Sequence, residues 1–185
     1  MKSFQEQEED ELVITAPADD LSHLAYQLNA RSTLGVLVQL IARAKKEIIL
    51  ASPFLQSTKD QRDRTLVEAI NTALKRGVTV NIVSTSTAIN LFTLNDVFDV
   101  RGKIHYFQSK ENIENNSNLG SHAKFCLADS KHVYIGSANF TWSGLHYNLE
   151  MGVLFHGKLA VKVAEFWEMA IQLGLIVEIE NNKII

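Results

Sequence analysis

Cysteine is almost missing from these 185 residues, and the one present, Cys126, cannot close an intramolecular disulfide. Nothing therefore ties the chain to an oxidising compartment. Long apolar runs are missing as well. No stretch approaches the ~20 apolar residues that span a bilayer, and residues 1–12 lack the basic-then-apolar plan of a secretion signal. The expectation is a soluble, cytoplasmic protein. There is no H-E-x-x-H, no C-x-x-C and, outside the acidic first residues, no cluster of Asp and Glu to bind a metal, so no metal or other cofactor is expected. With no internal repeat and no linker, the chain reads as one domain, long enough for a sizeable core. The net charge of −3 is small, yet it is unevenly spread. Residues 1–20 sum to −6 and the rest to +3. An acidic, disordered tail over 1–12 is expected to precede a mildly basic body over 13–185.

The body alternates strand and helix signals. Ser32 or Thr33 can cap a helix with Leu37, Leu40, Ile41 and Ala44 on one face. The continuous apolar run 48–51 reads as a strand buried on both faces and stopped at Ser52-Pro53. A second helix, with Leu66, Ile70, Ala73 and Leu74, ends at Gly77, and a strand over 78–83 follows. Strand, helix and strand imply a parallel unit. Further expectations are a short helix over 19–28, a helix over 88–98, a strand over 103–107 and a polar loop over 108–120. After those come a strand over 148–155, a helix over 159–173 and an edge strand over 175–179. The fold class expected is α/β: a mixed, largely parallel sheet with helices on both faces.

The chemistry concentrates in residues 121–150, SHAKFCLADSKHVYIGSANFTWSGLHYNLE. Strands over 123–128 and 132–137 form a hairpin. If Ser130 and Lys131 make the turn, Lys124 lies opposite Ser137 and His122 opposite Asn139. A histidine, a cation, a hydroxyl and an amide then converge, with Gly136 leaving room for backbone to approach an oxyanion. This is an anion site, suited to phosphate. Glu150 can accept a hydrogen bond from one imidazole nitrogen and leave the other free to attack. Cys126 shares a face with Lys124 but sits in an apolar run. Phe140, Trp142 and Tyr147 suit base stacking, insertion into lipid or, as aromatics more often do, the core. Lys59, Arg62, Arg64, Lys110 and Lys131 fall in segments that can rim the site, and His132 and His146 read as surface residues.

The spacing His122-x-Lys124, Asp129, Gly136-Ser137-x-Asn139, with a later Asn148-x-Glu150, resembles the HKD motif of the phospholipase D superfamily. The resemblance implies His122 as a nucleophile that forms a phosphohistidine. It implies Lys124 and Asn139 as phosphate ligands, Ser137 as a further phosphate or histidine contact, and Glu150 as the partner that orients the histidine. Asp129 is then a support of the hairpin turn.

Larger members of that superfamily carry a second motif, whose histidine protonates the leaving oxygen. Here there is one. His23, His105, His132, His146 and His156 are not followed by lysine two residues on, so a homodimer with the two His122 facing each other is expected to complete the site. The function expected is a metal-independent phosphodiesterase, an endonuclease with a DNA or RNA substrate. Two other readings remain: a phospholipid hydrolase or phosphatidyl transferase, and a non-catalytic module of a multi-protein system such as phage defence.

Overall fold

The computed structural model describes residues 9–55, 62–85, 101–110 and 122–179. Its strands and helices, in chain order, are β1 (Glu11–Thr15), α1 (Ala18–Leu28), β2 (Arg31–Ser32), α2 (Thr33–Arg43), β3 (Glu47–Ala51), α3 (Thr65–Arg76), β4 (Thr79–Val83) and β5 (Ile104–Ser109). There follow β6 (Phe125–Ala128), β7 (His132–Gly136), α4 (Trp142–His146), β8 (Glu150–His156), α5 (Lys158–Gln172) and β9 (Ile176–Ile179). The helix expected over 88–98 lies outside the described residues, as does most of the loop expected over 108–120.

Local chemistry sets the element ends. The Ser32 hydroxyl accepts from the Gly35 N–H and starts α2, while Gly77, at φ 95°, ends α3 in the left-handed region that a side chain disfavours.

The nine strands form a single mixed sheet in the order β2-β1-β8-β7-β6-β3-β4-β5-β9. Pairings β1–β2, β3–β4 and β4–β5 are parallel. The other five are antiparallel, so the parallel share is smaller than the βαβ signal suggested. The difference lies in the second half of the chain, where the turn 129–131 between β6 and β7 is too short for a parallel crossover and β8 and β9 also run antiparallel to their neighbours. β1 is an interior strand that local pattern does not reveal. Glu11 and Leu12, expected to belong to the tail, pair with Leu154 and Val153.

Helices cover both faces. On one, Leu37 and Ile41 of α2 and Ile70 and Leu74 of α3 pack on Ile48, Leu50, Val80 and Ile82. On the other, Ala160, Ala164, Trp167 and Ala170 of α5 pack on Ile49, Ala51, Phe125, Leu127 and Val133. Each such Val, Leu, Ile or Phe side chain contributes roughly 1.5–3 kcal/mol by leaving water, and each alanine less. Strand β3 is buried on both sides, as its unbroken apolar run requires. Among the described residues no helix is long and apolar enough to cross a membrane.

Candidate active site

Strand direction brings the motif together. Ala51, the last residue of β3, pairs with Phe125, the first of β6, so His122 and Lys124 lie just beyond the carboxyl end of β3. Strand β7 ends at the same side, and β8 begins there, with Gly136 facing Gly152. Residues 137–139 and Glu150 therefore share that edge with His122 and Lys124. In sheets of this kind ligands bind outside the carboxyl ends of the parallel strands.

The hairpin register differs by one residue from the expectation. Asp129, Ser130 and Lys131 all belong to the turn, with Asp129 and Ser130 at φ 52° and 55°, and Ala128 pairs with His132. Lys124 consequently faces Gly136, whose N–H donates to the Lys124 carbonyl at 3.1 Å, and not Ser137. The pairing of His122 with Asn139 does not form, because β6 starts only at Phe125. Asp129 dictates this register. Its N–H donates to the Glu47 carbonyl at 2.9 Å, and its carboxylate accepts from the backbone N–H groups of Lys45, Lys46 and Glu47 at 2.8–3.0 Å. A residue committed to the β3 entry cannot pair with His132. Burial works against the Asp129 charge, but those three N–H groups outweigh it and hold the carboxyl below its ordinary range.

His122 is exposed and Lys124 half-buried. The Lys124 ammonium donates to the His122 carbonyl at 3.0 Å, so the cation is held against the backbone that carries the imidazole. The Ser137 hydroxyl donates to Glu150 and accepts from the Met151 N–H at 3.1 Å. Asn148 donates to the other oxygen of Glu150 at 3.1 Å. Glu150 thus engages Ser137 and Asn148 rather than the expected His122, because a donor just past the end of β7 and another just before β8 take up both carboxylate oxygens. Asn139 keeps a buried Oδ1 without a hydrogen-bond partner.

Two supporting residues escaped the sequence reading. Ser52, read only as a strand stop, accepts from the buried Phe140 N–H at 3.1 Å and donates to the Phe54 carbonyl at 2.7 Å. Its own carbonyl accepts from the Ser84 hydroxyl at 2.5 Å. A hydroxyl directly after a buried apolar strand was the available signal. Tyr134, fully buried, fills the space that Gly136 and Gly152 leave. A Cβ on Gly136 would lie 2.2 Å from the Tyr134 hydroxyl, and one on Gly152 2.5 Å from its ring. Gly136 makes room for that ring, a role distinct from the expected approach to an oxyanion. Burial pushes the Tyr134 phenol up to about 12.

Other candidates sort by position. Cys126 is fully buried, and burial pushes its thiol far up, which removes it as a nucleophile. Phe140 is core at 0 % exposure, Trp142 is half-buried and Tyr147 is 55 % exposed. His146 is not a free surface residue: its Nε2 lies 2.7 Å from Asp63. Lys131 and His132 sit at the opposite end of the sheet, where His132 meets His156 at 2.9 Å between Nδ1 atoms. A cavity of about 490 Å³ opens there, lined by Arg43, Lys45 and Lys131 among others; of the motif it touches only Asp129. Arg64 pairs with Glu68 on α3, and Lys59 lies outside the described residues. Among the described residues no three His, Cys, Asp or Glu side chains gather as metal ligands would.

An α/β domain with a histidine-lysine pair, a serine and an asparagine at the carboxyl edge of its parallel strands is the class so defined. The sequence model for the family described as cardiolipin synthase, PLD-like domain, matches residues 37–170. The chain belongs to the phospholipase D superfamily. Solved structures similar to it include NucT from Helicobacter pylori, 15 % identical, with a TM-score of 0.59 over 90 % of this chain and 98 % of that one. The phospholipase D family member Nuc from Salmonella typhimurium is 18 % identical, with a TM-score of 0.61 over 94 % and 100 %. Phosphatidylserine synthase from Haemophilus influenzae is 13 % identical, with a TM-score of 0.62 over 92 % of this chain and 40 % of that one. At these identities the likeness is one of fold. No curated protein matches the chain.

Proposed function

We propose that the protein is a metal-independent phosphodiesterase, an endonuclease that cleaves DNA or RNA through a phosphohistidine on His122. The observation that carries this reading is the gathering of His122, Lys124, Ser137, Asn139 and Glu150 at one sheet edge, with the imidazole exposed. In the reaction, a His122 ring nitrogen attacks phosphorus and the P–O bond to the leaving strand breaks. The departing oxygen takes a proton from a second imidazole, and water then cleaves the P–N bond. Lys124 and Asn139 balance the charge on the phosphoryl oxygens. Glu150 fixes Ser137 beside them.

The second imidazole is that of another copy, one His122 neutral to attack and its counterpart protonated to donate. An uncovered apolar surface supports the homodimer. On the sheet face that carries α5, Ile135 and Met151 are exposed, and Phe166, Met169 and Leu173 form an exposed stripe on the helix itself. The nuclease reading over the lipid one rests on the mildly basic body and on the rim. A lipid substrate would call for an exposed apolar rim at Phe54, Leu55 and the segment 140–142; Leu55 and Phe140 are buried, which leaves Phe54 as the exposed ring there.

The test is cleavage of labelled single-stranded DNA, duplex DNA and RNA in excess EDTA, beside His122→Ala. Cleavage by the wild type alone supports the reading. A wild type that cleaves only when a divalent ion is added, or a variant as active as the wild type, overturns it. Equilibrium sedimentation of the wild type and of Met169→Glu tests the dimer: a wild-type monomer at assay concentration sinks the shared site. For a lipid substrate, binding would survive salt that strips nucleic acid from the protein.

A further inference from the structure

Beside the motif stands a ledge of rings whose parts are fixed by one another. Trp142 of α4 follows Asn139 by three residues. Its indole lies 4.0 Å from the His146 ring, tilted by 31°, and the Arg62 guanidinium is 5.4 Å from its centroid. His146 is anchored to Asp63 at 2.7 Å, and Asp63 in turn accepts from the Thr65 N–H at 2.7 Å where α3 begins. The outermost ring is Tyr147, 5.7 Å from Trp142, 55 % exposed and three residues before Glu150. A large ring held in the open on a braced support has no packing reason to stay there, since turning inward would bury apolar area.

We infer that Tyr147, backed by Trp142 and Arg62, is a stacking site for an unpaired nucleobase next to the scissile phosphate. This rests on the nuclease reading and narrows it to single-stranded nucleic acid, because a duplex hides its base faces inside the stack. Every base has a π-face, so the site is tolerant of sequence. The Arg62 cation adds attraction for the neighbouring backbone. A lipid surface fits the ledge poorly: Ser143 and Asn148 beside it are polar and exposed, and among the described residues of 141–149 Leu149 is the only exposed aliphatic side chain.

The test measures binding on the His122→Ala background, so that it does not depend on cleavage. Fluorescence anisotropy compares Tyr147→Ala and Tyr147→Phe on labelled oligo-dT, on an abasic oligomer of equal length and on a blunt duplex. Tyr147→Ala is expected to weaken oligo-dT binding about 10-fold or more, to leave the abasic oligomer unchanged, and to be rescued by Tyr147→Phe. An equal loss on both oligomers, or none on either, overturns the stacking site. Preserved discrimination in a wild type that cleaves nothing would leave the stacking site standing while the proposed reaction falls. Binding confined to phosphatidylglycerol vesicles would overturn both.

Discussion

The Ser52 hydroxyl accepts a hydrogen bond from the Phe140 N–H at 3.1 Å, joining positions 88 residues apart. Both groups are buried, and the bond holds the residue after Asn139 to the end of β3. The isolated bridge between Leu55 and Phe140 runs alongside it. Ser52→Ala leaves that N–H without a partner and is expected to cost about 1–3 kcal/mol of stability. Thermal unfolding should register this as a lower Tm by several degrees. If Asn139 is a phosphate ligand, kcat should fall further than the stability loss explains, and Ser52→Thr should recover part of it.

Gly136 and Tyr134 occupy one space between them. Gly136→Ala places a methyl 2.2 Å from the phenol oxygen and 2.6 Å from the ring carbon that bears it, so ring or strand must shift. Overpacking of this kind costs about 1–3 kcal/mol. Denaturant unfolding of Gly136→Ala, Tyr134→Phe and the double variant checks the pairing. Removal of the hydroxyl relieves the nearer clash alone, so the double variant should be partly rescued. Strictly additive losses would show that the two residues do not compete for the space.

Asp129 gives the fold an acid limit. Its carboxyl is held below the ordinary range in the folded state, so the folded form binds fewer protons than the unfolded one between the two values. The stabilisation is complete above the unfolded value of ~3.9 and is lost as pH falls through the lower folded one. Asp129→Asn keeps one acceptor and loses the charge. It should cost on the order of 1–2 kcal/mol near neutrality, at the modest end because the carboxylate still meets water. The acid side of its stability curve, followed by urea unfolding at stepped pH, should be flatter than the wild type's. Parallel curves would locate the acid sensitivity elsewhere, for example at Asp63, whose carboxyl is also lowered.

Much of the architecture was legible from periodicity. The face of Leu37, Leu40 and Ile41, the face of Leu66, Ile70 and Leu74, and the unbroken run that became β3 each state their burial in their own spacing. Likewise the motif residues could be named in advance, because their spacing along one hairpin is local. The strand Glu11–Thr15 could not, since its place depends on β8, far along the chain. The register of the hairpin also lay beyond local reading. Asp129 prefers the backbone donors of Lys45, Lys46 and Glu47 to a place in the ladder, and a distant segment thereby shifted every pair by one.

By itself, then, the order of residues determined which side chains make up the motif and which faces are apolar, because both depend on short-range spacing. The tertiary structure alone decided what those side chains touch. It turned Glu150 toward Ser137 and Asn148, buried Phe140 and left Tyr147 in the open, and set Tyr134 under Gly136. Contacts between strands that are distant in sequence are chosen by packing and by competition among hydrogen-bond donors, and no local pattern records the outcome of that competition.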